Sequence, residues 1–296
     1  MSRKIDLKFL DLSNGEKLAY RKTGNGSKVL LFVHGNTNSS KNWDLLMEEL
    51  PKEEYTIFAV DLRGFGESSY NKKIDSISDF SDDIKLFCDK LGLKDFTIVG
   101  WSAGGAVAMR FCIDYQSFVN KLILLEGSSV QGYPIEKDGK YLATREEITK
   151  TVKPILWAYN MKGKFILNKI GRWLLKKVCE RSMYAENKPE AERYEEYIDE
   201  MMKQRNLVDI NYALAHFNIS SENNGVVKGT GEADQIEVPT LIIQGDRDDV
   251  VTMDMAEKNL QEIGNNATME IIEGAGHSPL VDRLDKLVDI IVDYTA

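Results

Sequence analysis

Short apolar runs and amphipathic stretches alternate over the first 127 residues of the chain. Lys8–Leu12 and Lys17–Lys22 have the composition of two short strands, and Asn14-Gly15 between them has the chemistry of a tight turn. Val29-Leu30-Leu31-Phe32-Val33 is a continuous β-branched and aromatic run, the pattern of a strand buried on both faces. Further strands are predicted at Tyr55–Val60, Phe96–Val99 and Leu122–Leu125. Between them, helical spacing predicts helices over Trp43–Leu50 (Ser39 or Ser40 as cap, Pro51 as stop), Ile77–Leu91 (stopped by Gly92) and Ala103–Tyr115. Such strand–helix alternation implies a mostly parallel sheet flanked by helices.

The rhythm breaks between about residues 128 and 235, where amphipathic pieces near Ile148–Trp157, Phe165–Val178, Ala191–Met202 and Leu207–Phe217 follow one another without strands. Alternation then resumes, with strands at Thr240–Ile243 and Met269–Ile272 and helices at Met253–Ile263 and Pro279–Tyr294. The expected organisation is one α/β core, residues 1–127 and 236–296, with a helical cap or lid of residues 128–235 inserted after the sixth strand. Charge separates the two parts as well. The insertion carries 17 Lys+Arg against 16 Asp+Glu, whereas the rest carries 21 against 31.

Overall composition narrows the function classes. At 296 residues, 43% apolar and 29% charged, the chain is long enough for one sizeable core and shows no sign of disorder. A net charge of -9 argues against nucleic acid as a partner, because phosphate binding needs a basic surface. Cys88, Cys112 and Cys179 lie in apolar, helix-like stretches without metal or redox spacing and read as reduced core thiols. The first residues lack the apolar core of a signal peptide and no apolar run reaches membrane-span length, so a cytoplasmic location is the default expectation.

Candidate chemistry centres on Gly100-Trp101-Ser102-Ala103-Gly104, which falls between a predicted strand and a predicted helix. A serine on so sharp a turn has an exposed hydroxyl, and the helix start beneath it favours negative charge developing on a substrate. The hydroxyl needs a base. Of three histidines, His277 in Gly274-Ala275-Gly276-His277-Ser278 is the best placed, in a loop of small residues after the last strand. His34 ends an early strand, and His216 sits in a helical pattern where packing explains it. The imidazole in turn needs a carboxylate, and Asp246, Asp248 and Asp249 crowd the loop after Thr240–Ile243, with Glu126 as a rival at the end of Leu122–Leu125.

Ser102, these acids and His277, in that order and each in a strand-end loop, resemble the α/β-hydrolase superfamily, and in particular its capped, esterase- and lipase-like serine hydrolases. The resemblance covers residues 5–127 and 236–296. It implies the α/β-hydrolase fold, and a G-x-x-D pattern that selects Asp248 as the acid. His34-Gly35-Asn36-Thr37 is similar to the family's oxyanion loop, so the Asn36 and Ala103 amides are the implied oxyanion donors. Asp61-Leu62-Arg63-Gly64-Phe65-Gly66-Glu67-Ser68 matches a structural turn of the family, which makes His34 a tether for that loop.

The expected activity is hydrolysis of a small-molecule carboxylic ester with a small to medium apolar acyl group, using no metal and no organic cofactor. Lactones, thioesters, amides, carbon–carbon bonds and perhydrolysis are alternatives on the same constellation, and some relatives retain the triad yet act as ligand receptors. Position 102 is Ser, which excludes the family's Asp-nucleophile chemistries. Within the cap, Lys162–Arg181 interleaves Lys162, Lys164, Lys169, Arg172, Lys176, Lys177 and Arg181 with apolar residues. Such a helix can lie on an anionic membrane or lipid surface, although an apolar face that covers the core is the simpler expectation. Met161, Met183, Met201, Met202, Trp157 and Tyr159 are candidates for an adaptable apolar pocket.

Overall fold

A computed structural model describes residues 5–160 and 165–296, with side chains from residue 168 onward in the second span. Met161, Lys162 and Lys164, and the side chains of Phe165, Ile166 and Leu167, singled out above for the cap, lie outside the described residues.

The predicted strands form one eight-stranded sheet. β1 (Leu7–Asp11) and β2 (Lys17–Thr23) make an antiparallel hairpin, and β2 pairs antiparallel with β4 (Tyr55–Val60). β3 (Lys28–Val33), β5 (Phe96–Trp101), β6 (Val119–Leu125), β9 (Thr240–Gly245) and β10 (Ala267–Ile272) run parallel with β4. The spatial order is β1-β2-β4-β3-β5-β6-β9-β10, so the winding direction reverses at β3. Loops leaving the carboxyl ends of β3 and β5 diverge there, and such a crevice is where open α/β sheets bind ligands.

Each central strand buries both faces, which is why it reads as an unbroken apolar run. Leu31, Val33, Phe58, Val60, Ile98, Leu122 and Leu124 face one cluster with α2 (Ile77–Leu91), α3 (Ala103–Asp114) and α8 (Met253–Ile263). Leu30, Phe32, Ile57, Ala59, Val99, Ile123 and Leu125 face the other, with α1 (Asp44–Glu49), α9 (Pro279–Asp282) and α10 (Leu284–Thr295).

Between β6 and β9 the described residues form a small hairpin, β7 (Glu136–Lys137) and β8 (Lys140–Tyr141), and the α-helices α4 (Arg145–Asn160), α5 (Phe165–Ser182), α6 (Ala191–Met201) and α7 (Leu207–His216). Ile148, Val152, Leu175, Tyr194 and Ile198 of α4–α6 join the second cluster, above the strand ends. Ile210, Ala213 and Leu214 of α7, with Phe217, Ile219 and Ala233, join the first cluster instead. The described part of residues 128–235 therefore divides between the two clusters.

Three local details differ from the expectation. The helix predicted at Trp43–Leu50 starts earlier, as a 3₁₀ turn at Ser40–Trp43 capped reciprocally by Ser39 and Asn42, and becomes α-helical only at Asp44. The closing helix breaks at Arg283 (φ −145°, ψ 51°), where Asp282 is held by backbone amides of other segments and the Arg283 guanidinium bonds the Glu273 and Asp282 carbonyls. The hairpin β7–β8, absent from the expectation, turns on Asp138-Gly139, both at positive φ, as a two-residue hairpin turn requires.

The basic face of α5 is largely neutralised. Arg172 pairs with Glu195 and Asp199, Lys176 with Glu195, and Lys177 with Glu180. Leu175 and Cys179 point inward, while Ile170, Trp173 and Val178 are exposed. Among the described residues no helix is long and apolar enough to cross a membrane.

Candidate active site

Register brings the carboxyl ends of the central strands level. Val33 pairs with Gly100, Trp101 with Leu125, Leu125 with Ile243, and Ile272 with Gly245. The next residues of each strand therefore emerge side by side: His34-Gly35-Asn36, Ser102, Glu126, the Asp246–Asp249 loop and the loop that carries His277.

Ser102 occupies a strained turn, φ 55° and ψ −124°, between β5 and α3. The strain is stabilised from several sides. Its N–H donates to the Leu125 carbonyl at 3.1 Å, and its own carbonyl accepts from the Gly105 and Ser128 amides at 2.8 and 2.9 Å. Close approach of helix and strand explains the small flanking residues. A Cβ on Gly100 would lie 2.4 Å from the Gly104 carbonyl oxygen, and one on Gly104 would lie 2.2 Å from that of Val33.

The three residues expected to act together are brought together. The His277 Nε2 lies 2.9 Å from the Ser102 Oγ, and its Nδ1 lies 2.7 Å from the Asp248 Oδ2. Since Asp248 only accepts, Nδ1 carries the ring proton and Nε2 is free to accept from the serine hydroxyl. The other oxygen of Asp248 accepts the Val250 and Val251 amides at 2.7 and 3.0 Å. Burial pushes the Asp248 pKa up, but its bonds to His277, Glu126 and Val250 outweigh that and hold the carboxyl below its ordinary value. The His277 loop is fixed by its carbonyl, which accepts the Trp101 indole N–H at 2.8 Å.

The rival acid is near but in another place. Glu126 is fully buried at φ 43°, and its Oε1 accepts the Gly245 amide at 2.6 Å. Its carboxyl meets that of Asp248, and Asp248 is the group on His277 Nδ1. Asp246 ties its loop to the Gly274 amide at 2.6 Å, and Asp249 is exposed.

His34 is enclosed and accepts the Leu62 amide on Nε2 at 3.0 Å, while its Nδ1–H donates to the Gly35 carbonyl at 2.7 Å. It thus holds the Asp61–Ser68 turn, and burial lowers its pKa to about 4, so the ring is neutral. His216 stacks on Tyr212 one helical turn away, and its Nδ1 bonds the Tyr212 carbonyl, so packing within α7 accounts for it.

Asn36 and Ala103 flank Ser102 in space, Asn36 on the loop after β3 and Ala103 as the first residue of α3. An N–H in the first turn of a helix has no acceptor within its own helix. The Asn36 side chain is oriented by the Thr37 amide and by Gln204, whose Nε2 donates to Asn36 Oδ1 at 2.8 Å. Ser102, His277 and Asn36 open into a cavity of about 290 Å³ walled by Ile155, Leu175, Val178, Met183 and Met201 from α4–α6 and the chain after α5. Of the apolar pocket candidates, Met183 and Met201 line it. Met202 and Tyr159 line a separate surface cleft with Gln204 and Arg205. Trp157 is exposed.

Two residues with structural consequences escaped the sequence reading. Gln204 links the chain after α6 to the loop after β3, and no motif marks it. Asp282 accepts four amides: Glu186 and Asn187 on Oδ1, Ala185 and Gly276 on Oδ2, at 2.8 to 3.1 Å. A helix-terminal aspartate was visible in the sequence, but three of its four partners come from a segment about a hundred residues away.

Comparison with known proteins agrees with this architecture. The family model for the alpha/beta hydrolase fold matches residues 28–284. An AB hydrolase superfamily protein, YisY, of Bacillus subtilis (strain 168) is 25% identical over 278 residues, covering 90% of this chain and 91% of its own. Lipase 1 of Psychrobacter immobilis is 24% identical over 290 residues, covering 96% of this chain and 82% of its own. The solved structure of an esterase (EaEST) from Exiguobacterium antarcticum superposes with a TM-score of 0.76 at 22% identity, over 97% of this chain and 98% of that one. The chain belongs to the alpha/beta hydrolase fold family.

Proposed function

We propose that this protein is a serine hydrolase that cleaves a carboxylic ester of a small to medium apolar acyl group through an acyl-enzyme. The observation that carries this reading is the unbroken hydrogen-bonded line from Ser102 through His277 to Asp248, 2.9 and 2.7 Å, at the base of an apolar-walled cavity.

Ser102 Oγ attacks the ester carbonyl as its proton passes to His277 Nε2. The Asn36 and Ala103 amides stabilise the negative charge that forms on the carbonyl oxygen, helped by the α3 amino terminus. His277 then hands its proton to the departing alkoxide, and Asp248 stabilises the imidazolium throughout. Water deprotonated by His277 attacks the acyl-enzyme, the bond to Ser102 Oγ breaks to release the acid, and His277 returns the proton to Oγ. None of these steps calls on a metal or an organic cofactor. At about 30 Å³ per water-sized group, a cavity of about 290 Å³ supports an acyl portion on the order of ten heavy atoms or fewer. On this reading α4–α6 form the cap that shapes acyl selection.

Turnover of p-nitrophenyl esters of graded acyl length, with thioesters and lactones alongside, tests both the activity and the bond cleaved. The expected result is a burst on short and medium esters and fluorophosphonate labelling at Ser102, both lost in Ser102→Ala. Absence of turnover and of labelling would overturn the enzyme reading in favour of a ligand receptor that retains the triad. Faster turnover of lactones or thioesters would reassign the substrate.

A further inference from the structure

The mechanism above leaves one buried acid unused. Glu126 follows β6 at φ 43°, a conformation that a residue bearing a Cβ seldom adopts, and it is fully enclosed. Its Oε1 accepts the Gly245 amide at 2.6 Å, whereas its Oε2, equally buried, has no donor directed at it. The Gly245 amide that Glu126 holds leads into the loop carrying Asp248, so the β6–β9 register sets the two carboxyls against each other, each acting on the ionisation of the other. Two ionised carboxylates cannot hydrogen bond, since neither has a proton to donate. The contact is favourable only if the pair shares one proton.

The location of that proton follows from the donors each acid already receives. Asp248 accepts three: His277 Nδ1–H and the Val250 and Val251 amides. Glu126 accepts one, from Gly245. An acid with three donors is stabilised as the anion, and the poorer-served, more deeply buried one retains the proton. From the geometry we infer that Glu126 is a positioning residue, a protonated carboxyl whose Oε2–H donates to Asp248 and fixes it on His277 Nδ1. The inference rests on the triad reading above and deepens it.

The charged and titratable groups facing Glu126 agree in sign. Asp248 on the β9–α8 loop and Asp282 on α9 are both acids that oppose a second negative charge. Beyond Asp248 stand His277, which binds it, and Tyr133, which senses its charge. Burial, first, and then the charge of Asp248 accordingly push the Glu126 carboxyl well above the ordinary glutamate range. Raising the pH far enough to ionise Glu126 removes the donor and sets two anions against each other. The prediction is an alkaline decline in activity that belongs to Glu126.

The test compares the wild type with Glu126→Gln, which keeps a donor and cannot titrate, and Glu126→Leu, which has neither property. The measurements are kcat and KM on a short p-nitrophenyl ester across neutral to alkaline pH. Glu126→Gln is expected to keep kcat within about threefold at neutral pH and to lose the alkaline decline. Glu126→Leu is expected to lower kcat roughly tenfold, the scale of one hydrogen bond to a charged group, with KM little changed. A wild-type profile in Glu126→Leu overturns the inference. So does an alkaline decline that persists in Glu126→Gln, which decides the matter if the leucine variant does not fold. A loss in Glu126→Gln as steep as that of Asp248→Asn also overturns it, because Glu126 would then act as an anion. Infrared spectroscopy gives a readout independent of turnover. The wild type at neutral pH should show a protonated-carboxyl band that Glu126→Gln removes, and its absence overturns the inference even if no ester is cleaved.

Discussion

Replacing Asp248 by Asn tests the chain of donors at the site most directly. A carboxamide differs from a carboxylate in having one donor end, and the surroundings decide where that end goes. If the NH₂ group takes the place of Oδ1, it faces the Val250 and Val251 amides, which now stand at 2.7 and 3.0 Å from an oxygen. Two hydrogen bonds are lost there, about 1–1.5 kcal/mol each. The opposite orientation keeps both amides satisfied but puts the NH₂ against His277 Nδ1. That nitrogen must then accept, the ring proton moves to Nε2, and Nε2–H points at the Ser102 hydroxyl it should deprotonate. A preference of about 2–3 kcal/mol for this unproductive orientation removes roughly 10²-fold of the competent population. Loss of the negative charge beside the imidazolium adds the rest, toward the ~10⁴-fold fall in kcat typical of a wrong tautomer. Burst kinetics on p-nitrophenyl butyrate, with a melting curve to show that the fold persists, measure the outcome. Retention of more than a tenth of the wild-type rate would refute the reasoning.

Three further outcomes follow from the packing. Asp282→Ala strips four amides of their acceptor, and a loss of about 2–4 kcal/mol in urea unfolding is expected. Amide exchange should quicken together at Ala185, Glu186, Asn187 and Gly276, and unchanged exchange would refute the link. Gly104→Ala sets a Cβ 2.2 Å from one backbone oxygen and 2.8 Å from another, so destabilisation of about 3 kcal/mol or more should show as a collapsed urea midpoint. His34, held neutral with a pKa near 4, takes up no proton on acidification while an unfolded chain does below about pH 6.5. Stability is therefore lost as pH falls from about 6.5 toward 4, by up to about 1.4 kcal/mol per pH unit, and His34→Gln should flatten that slope in urea titrations.

What the sequence made legible depended on how local its cause was. The spans Ile77–Leu91 and Met253–Ile263 match α2 and α8 residue for residue, because each helix ends at a glycine and begins beside a Ser or Thr. The central strands were equally plain, since burial on both faces writes a continuous apolar run. Ser102, Asp248 and His277 were legible as candidates because each lies next to a strand end and register alone makes them neighbours. The break at Arg283 was not legible, because it answers to amides from residues 185–187. The relation of Glu126 to Asp248 was hidden for a similar reason. Sequence offered two acids as competitors, and only the approach of β6 to β9 sets their carboxyls against each other. The divided packing of residues 128–235 escaped notice because an amphipathic helix does not say which apolar surface it will meet.

The Asp282 carboxylate has a consequence for how such a protein can diversify. Asp282 joins the chain after α5 to the loop of His277, yet every group its carboxylate grips is a main-chain amide. Main-chain amides are the same whatever side chain they carry, proline excepted. Substitutions along 185–187 can therefore alter the surface cleft that Ala185 lines beside Gly276 and His277 while the tether stays intact. The join constrains the path of the chain and leaves its spelling free, so side chains there can drift while the loop of His277 keeps its place.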